Sequence, residues 1–182
     1  MRDGRPHDAY HDGVLIGGRE KREIVIVAYD PDWPVRYELE REKVSRALGA
    51  SAVRIEHMGS TAVPGLAAKP IIDVLVAVAA LHDEAAIVTP LEGAGYHLRV
   101  REPAHLMFRT PERDVHVHLW GDSDPELTRH LAFRDQLRRS PTDRDAYVSL
   151  KRELAARDWD SMDEYADAKG ELVTAILARS GV

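Results

Sequence analysis

Two short apolar runs on either side of a glycine-containing loop constrain the fold of this chain more than any other feature. Residues 53–58 and 71–78 are rich in β-branched and aliphatic side chains, which is typical of buried strands. The second run is apolar on both faces except for one carboxylate, Asp73. Because a carboxylate in an apolar strand is costly without a partner, its presence indicates a role beyond packing.

The loop between the two runs has features of a phosphate-binding segment. Gly59 allows the backbone to approach a ligand closely, and Ser60 and Thr61 supply hydroxyls beside free amide groups. Pro64 suits the first turn of a short helix, whose positive end favours phosphate. A Gly-Ser pair after a strand is also an ordinary turn. The phosphate-binding hypothesis therefore depends on the combination of this loop with Asp73.

Length and composition favour a single compact domain. A chain of 182 residues that is 44% hydrophobic can bury a substantial core. Without cysteine there is neither a disulfide framework nor a thiolate metal site, so any metal must be bound by Asp, Glu or His. The apolar runs are far shorter than the roughly 20 residues of a membrane span, and we expect a cytoplasmic protein that does not bind membranes. The net charge of -6 argues against bulk binding of nucleic acid.

The chain divides into a mixed half and a helical half. Residues 1–22 are polar and lack apolar periodicity, which predicts a flexible N-terminal extension or a loosely docked one. Residues 23–182 form the predicted domain, with a mixed α/β half at 23–122 and a helical half at 123–182. The predicted elements are a β-like run at 24–28, a helix ending near Leu48, strands at 53–58 and 71–78, a helix at 81–94, and strands at 96–100, 105–109 and 115–120.

Three helix starts follow residue 122, each with a capping residue. Asp124 and Ser140 each precede a proline, and Ser161 opens a capping box with Glu164. We therefore predict an α/β (α+β) fold in which a mixed sheet with flanking helices is followed by a C-terminal three-helix portion.

The strand and loop motifs resemble the nucleotidyltransferase fold of polymerase-β-like enzymes. In those enzymes a strand ends in Gly-Ser, a short helix follows, and the next strand carries two carboxylates that bind divalent metal. Gly59, Ser60 and Asp73 fit this pattern, whereas Leu75 stands in place of the second carboxylate.

Over almost the whole chain after residue 23, the sequence resembles the GrpB-like family of predicted nucleotidyltransferases, which is also found attached to dephospho-coenzyme A kinases. The matching segments are 29–34, 57–76, 116–119, 133–135, 137–138, Tyr147 with 150–151, and Tyr165 with 168–169. The resemblance implies a nucleotidyltransferase-like domain with a divalent metal ion, Mg²⁺ or Mn²⁺, and a nucleoside triphosphate and an unknown acceptor as substrates. It does not imply an oligomeric state.

Two histidines near the end of the mixed half offer a replacement for the missing carboxylate. Nucleotidyl transfer commonly uses two metal ions, which one aspartate cannot hold. His116 and His118 share one face of a regular strand because side chains alternate with period two. Together with Asp73 they would form a two-histidine, one-carboxylate site, which suits a transition metal better than magnesium. The alternative is that both histidines only form hydrogen bonds within a partly buried sheet.

The helical half contains basic and aromatic side chains spaced to share a helix face. The pairs four residues apart are Tyr147 with Lys151, Tyr165 with Lys169, and Arg134 with Arg138. If these faces turn toward the glycine loop, they form a basic wall for a triphosphate. Alternatively, the tyrosines pack on the core beside solvated lysines, and Arg134 joins an ion-pair network between the two halves.

We thus predict three overlapping groups of site residues. The catalytic candidates are Asp73, Ser60 and His118, and the metal ligands are Asp73, His116 and His118. The nucleotide- or phosphate-binding candidates are Gly59, Ser60, Thr61, Lys69, Arg134, Tyr147, Lys151, Tyr165 and Lys169.

The predicted function is transfer of a nucleoside monophosphate from a nucleoside triphosphate to a small-molecule or protein acceptor. The alternative is a non-catalytic nucleotide- or coenzyme-A-binding or accessory module, since a fold alone does not define an activity.

Overall fold

A five-stranded mixed sheet forms the centre of the computed structural model, which describes residues 14–181. Its strands are β1 (Ala52–Met58), β2 (Ile72–Val78), β3 (His97–Glu102), β4 (His105–Arg109) and β5 (Val115–Gly121). The spatial order is β1-β2-β5-β4-β3, in which β2 and β5 are parallel and the other neighbours are antiparallel. The predicted α/β (α+β) class, a mixed sheet with flanking helices, is confirmed.

Within residues 14–181, six helices flank this sheet. They are α1 (Trp33–Leu48), α2 (Ala85–Gly93), α3 (Pro125–Arg139), α4 (Pro141–Ala155), α5 (Met162–Asp167) and α6 (Gly170–Ser180), with short 3₁₀ turns at Gly49–Ser51 and Ser60–Ala62. None of the helices within residues 14–181 combines the length and apolar character needed to span a membrane.

The C-terminal part contains four helices, not the predicted three. The segment after Ser161 is interrupted at Ala168 and Lys169, which separate α5 from α6. Gly170 follows at once, and glycine is a poor residue for a continuous helix. The predicted caps are present: the side chains of Asp124, Ser140 and Ser161 each accept a hydrogen bond from a backbone N–H in the first turn of their helix.

The two faces of β2 pack against different parts of the chain. Ile72, Val74 and Val76 belong to the main core, which includes residues of α1 and α2. Leu75 and Ala77 belong to a second cluster with α3. Because side chains alternate along a strand, Asp73 lies on the face of the sheet that is turned toward the C-terminal helices.

The N-terminal segments differ in part from the predicted pattern. Residues 24–28 form no strand, and Val27 makes only an isolated antiparallel bridge with Ala68. In the described part of the predicted N-terminal extension, Leu15 bridges Val100 of β3, and Glu20 accepts two hydrogen bonds from Arg109 at 2.7 and 2.8 Å. The prediction for residues 1–13 lies outside the described residues.

Candidate functional site

A tight backbone turn brings the glycine loop against Asp73. Met58, the last residue of β1, pairs with Asp73 of β2, and Gly59 follows with φ 71° and ψ -171°. A Cβ atom added to Gly59 would lie only 2.3 Å from Asp73 Oδ2. Both the dihedral angles and the close contact therefore require glycine at this position.

Asp73, His116 and His118 converge at the junction of the two parallel strands. In the register of β2 and β5, Asp73 is paired with His116, and His118 is two residues further on the same face. Asp73 Oδ1 lies 3.5 Å from His116 Nδ1 and 3.7 Å from His118 Nε2. The three side chains are 19 to 25% exposed, so the cluster is accessible from solvent.

The geometry of this cluster fits a single metal ion. An ion about 2.0–2.2 Å from each ligand in a tetrahedral arrangement would separate the ligand atoms by about 3.3–3.6 Å. The distances from Asp73 Oδ1 to His116 Nδ1 and His118 Nε2, 3.5 and 3.7 Å, are close to this range. Among residues 14–181 this is the one cluster of three or more potential metal ligands. Two imidazoles and one carboxylate suit Mn²⁺, Fe²⁺, Co²⁺ or Zn²⁺ better than Mg²⁺.

The protonation of the cluster also favours metal ligation. Burial alone would raise the pKa of Asp73, but its interactions with His116 and His118 outweigh burial and hold that pKa well below its usual range. Burial lowers the pKa of His118 to about 4, so its imidazole is neutral at neutral pH. An ionised carboxylate and a neutral imidazole are the states that bind metal.

Lys69, Lys151 and Lys169 gather beside Ser60. The Lys151 ammonium donates to Ser60 Oγ at 3.1 Å and to the Ala67 carbonyl at 2.6 Å. Lys69 and Lys169 lie 5.2 and 3.9 Å from the centre of the Tyr165 ring. The ammonium groups of these two lysines form no hydrogen bond or ion pair with any residue in the 14–181 range.

These lysines are held in an unfavourable environment. Burial, reinforced by repulsion from Lys169 and Lys69, lowers the pKa of Lys151 to about 7. Burial and repulsion from Lys69 lower the pKa of Lys169 to about 8. Burial also lowers the pKa of Lys69. An anion placed among them would relieve this repulsion.

Two tyrosines, Tyr147 and Tyr165, line the same cavity as Asp73. Tyr165 is 1% exposed, and its hydroxyl has no hydrogen-bond partner within the described chain. Tyr147 is 7% exposed and packs beneath Lys151, whose ammonium lies 4.8 Å from the ring centre. Because an unpaired buried hydroxyl is costly, the Tyr165 hydroxyl indicates a missing polar partner in the cavity that it lines.

Two of the predicted phosphate-binding side chains lie elsewhere. Thr61 is buried, and its hydroxyl donates to the Ile71 carbonyl at 3.0 Å. Arg134 donates to Glu56 and to the His57 carbonyl, both at 2.9 Å, so it connects α3 to β1. These contacts correspond to the alternative in which Arg134 joins an ion-pair network and does not bind phosphate. Its neighbour on the helix face, Arg138, donates to the Ala62 carbonyl and so supports the loop.

Two cavities meet at the site. The smaller one, about 200 Å³, is lined by Gly59, Ser60, Lys69, Ile71, Asp73, His116, Tyr147, Lys151, Tyr165 and Lys169. The larger one, about 450 Å³, shares Lys69, Ile71 and His116 with it. Its apolar lining includes Leu15, Val25, Val100, Met107 and Met162. The sequence provided no indication of this second cavity because its walls come from distant, unpatterned segments.

Two further polar residues near the cluster were also missed from the sequence. His105 Nε2 lies 3.1 Å from His118 Nδ1, and His105 Nδ1 lies 2.9 Å from Glu102 Oε2. Both residues lie at the turn between β3 and β4, where a charged or polar residue is common and spacing indicates nothing.

Sequence comparison defines the family. The family profile described as "GrpB protein" matches residues 23–179, and the chain belongs to this family. A "UPF0157 protein" of Streptomyces coelicolor is 47% identical over 92% of this chain and 89% of its own length. A "Dephospho-CoA kinase" of Mycolicibacterium paratuberculosis is 29% identical over 79% of this chain and 42% of its own length. The predicted family resemblance is therefore confirmed.

Solved structures agree with this assignment. The crystal structure of GrpB from Enterococcus faecalis has a TM-score of 0.77 and 33% identity, covering 86% of this chain and 96% of that one. A structure of the GLD-2/RNP-8 complex has a TM-score of 0.52 and 13% identity, covering 93% of this chain and 62% of that chain. At 13% identity the second similarity concerns the fold alone.

Proposed function

We propose that this protein is a metal-dependent nucleotidyltransferase that transfers a nucleoside monophosphate from a nucleoside triphosphate to a small-molecule or protein acceptor. One observation supports it above the others: Asp73 and His116 of the metal-ligand cluster line the same cavity of about 200 Å³ as the three lysines. A metal site beside an anion site is the arrangement that phosphoryl and nucleotidyl transfer requires.

The charge balance of the cavity indicates the ligand. Its lining carries three lysines but a single carboxylate, in a chain whose net charge is -6. The backbone at Gly59, the Ser60 hydroxyl and the unpaired Tyr165 hydroxyl add neutral polar groups. A polyphosphate supplies the negative charges and acceptor oxygens that these groups need.

In this proposal the residues have distinct roles. Asp73, His116 and His118 would hold a divalent ion, which when bound supplies Lewis-acid polarisation of a phosphoryl oxygen. Lys69, Lys151 and Lys169 would neutralise the phosphates and the departing pyrophosphate. Ser60 would orient a phosphate oxygen, since its hydroxyl is itself held by Lys151.

We place the acceptor in the larger cavity. That cavity of about 450 Å³ reaches the metal-ligand cluster through His116 and the lysine cluster through Lys69. An acceptor bound there would direct a hydroxyl or amine toward a phosphate in the smaller cavity. The apolar wall that includes Val100, Met107 and Met162 favours an acceptor with an apolar body.

A non-catalytic binding module is the second candidate. It is favoured by Leu75, which is fully buried where the related enzymes carry a second metal-binding carboxylate. In that case the lysine cluster would hold the phosphates of a nucleotide or of coenzyme A without turnover.

A thermal-shift titration tests the proposal. Each ribonucleoside triphosphate and coenzyme A is titrated with Mg²⁺, with Mn²⁺ and with chelator. A ligand at one hundred times its dissociation constant adds about 2.7 kcal/mol to the free energy of unfolding, which shifts the melting temperature by several degrees.

Three variants make the titration specific. Asp73→Asn should remove only the metal-dependent part of the triphosphate shift, whereas Lys169→Met should reduce the shift with and without metal. Lys21→Met is the matched control, because Lys21 is exposed and pairs with Asp158 outside both sites. Cooperative unfolding whose melting temperature does not rise with any nucleoside triphosphate would contradict the proposal. A rise in melting temperature with coenzyme A that does not depend on metal would favour the second candidate.

A further inference from the structure

We propose that His105 and Glu102 are positioning residues that orient His118 for metal binding. This inference rests on the metal site of the proposed function and extends it to two residues that touch neither metal nor phosphate. The supporting observation is a continuous chain of contacts running from Asp73 through His118 and His105 to Glu102.

The contacts identify which ring nitrogen faces which neighbour in this chain. His118 turns Nε2 toward Asp73 Oδ1, at 3.7 Å, and Nδ1 toward His105 Nε2, at 3.1 Å. On its other side His105 presents Nδ1 to Glu102 Oε2, at 2.9 Å. His118 Nδ1, which faces away from Asp73, therefore contacts the His105 side chain. His105 Nδ1 in turn contacts the Glu102 side chain.

Metal ligation fixes the protons along this chain. A metal-bound Nε2 carries no proton, so the proton of His118 lies on Nδ1 and is donated to Nε2 of His105. The proton of His105 then lies on Nδ1 and is donated to the Glu102 carboxylate. His105 thus accepts one hydrogen bond and donates the other, at distances of 3.1 and 2.9 Å. An acceptor on the far nitrogen of a ligating imidazole orients the ring and raises its basicity, and here that acceptor would be His105, itself held by Glu102.

Packing holds both rings in place. The His105 ring lies 4.5 Å from the Trp120 ring at an interplanar angle of 15°, and 5.3 Å from the His118 ring at 9°. The side chains of His105 and His118 are only 17 and 19% exposed. Stacking alone would keep the rings parallel, but it would not require nitrogen atoms to face each other. The hydrogen-bond alignment is the feature that a purely packing role leaves unexplained.

Isothermal titration with Co²⁺ tests the inference. His105→Phe keeps a ring on Trp120 but removes both hydrogen bonds, and we expect the dissociation constant for Co²⁺ to rise ten- to a hundredfold. His105→Gln should recover most of the affinity, since the Gln amide oxygen can accept the His118 proton. Glu102→Gln should weaken binding less than His105→Phe, because it removes the charge and not the acceptor.

Matched measurements separate orientation from folding. His97→Gln on β3 is the control, because His97 is exposed and lies outside the chain of contacts. The melting temperatures in chelator should stay close to that of the unaltered protein, while only the Co²⁺ affinities differ. If His105→Phe does not fold, Glu102→Gln carries the test.

The outcomes also separate this inference from the proposed function. Equal Co²⁺ affinity in the unaltered protein, His105→Phe and Glu102→Gln would overturn the inference and leave the metal site intact. Absence of Co²⁺ binding by the unaltered protein would overturn the inference together with the metal site.

Discussion

Replacing Gly59 by alanine tests the relation between the glycine loop and the metal ligands. The added Cβ atom would lie 2.3 Å from Asp73 Oδ2 and 3.1 Å from its Cβ and Cγ atoms. Relief of the 2.3 Å contact requires a shift of roughly 1 Å, since carbon and oxygen atoms in contact are normally more than 3 Å apart. The backbone of Asp73 is fixed in the sheet between β1 and β5, so the carboxylate must move.

The expected loss of stability has three contributions. Backbone dihedral angles that only glycine adopts readily cost alanine about 1–3 kcal/mol. Forcing a methyl group into a packed site costs about 1–3 kcal/mol more. The reduced freedom of the unfolded chain returns about 0.4–1 kcal/mol. We therefore expect Gly59→Ala to lower the free energy of unfolding by about 3 kcal/mol and to weaken metal binding at least tenfold.

Gly65→Ala is the matched control. Gly65 has φ 78°, but a Cβ atom there would meet nothing within 4 Å. Only the backbone cost applies, and we expect a loss of about 1 kcal/mol with unchanged metal affinity. Urea unfolding in chelator and Mn²⁺ titration measure the two quantities. Equal destabilisation by the two variants, or unaltered Mn²⁺ affinity in Gly59→Ala, would refute the reasoning.

Three further predictions concern the cavities and the junction of the two halves. Because the pKa values of Lys151 and Lys169, about 7 and 8, lie below their ordinary value, the unfolded state binds more protons above pH 7. Stability should therefore rise between pH 7 and pH 9 while tripolyphosphate affinity falls, and Lys151→Met should reduce both trends in unfolding and binding titrations. Met107→Trp should fill part of the larger cavity and suppress transfer to an acceptor without changing triphosphate affinity, both measured on the same preparation. Arg134→Met should lower the free energy of unfolding by about 1–3 kcal/mol and leave triphosphate affinity unchanged, because its partners are Glu56 and the His57 carbonyl. A loss of triphosphate affinity without a loss of stability would show that Arg134 binds phosphate.

The sequence predicted the parts of the site that depend on strand periodicity. Alternation placed His116 and His118 on one face of their strand, because a strand has only two faces. Their position beside Asp73 was expected from the resemblance to the nucleotidyltransferase fold, and the parallel pairing of β2 with β5 brings the three residues together. From the sequence, Gly59 was expected to let the backbone approach a ligand closely. The structure shows instead a close approach to Asp73, which depends on how β1 pairs with β2.

Features that depend on packing between distant segments were not predictable. A spacing of four residues predicted that Tyr147 and Lys151 share a helix face turned toward the glycine loop, and both line the smaller cavity. The same spacing predicted this for Arg134 and Arg138, but Arg134 instead pairs with the Glu56 carboxylate and Arg138 donates to the Ala62 carbonyl. The break before α6 was missed because a capping box marks where a helix begins and not where it ends.

The packing of Leu75 accounts for the position of the proposed metal ligands on two strands. Leu75 lies on the same face of β2 as Asp73, but α3 covers that position, and Leu75 is fully buried with Leu127 and Leu131. A carboxylate there would be enclosed among apolar side chains and could not reach a metal ion without displacing the helix. β5 is the parallel neighbour of β2, so its side chains at residues 116 and 118 are the nearest alternatives on the open part of that face. In the proposed site, two imidazole nitrogens would therefore stand in place of a second carboxylate oxygen.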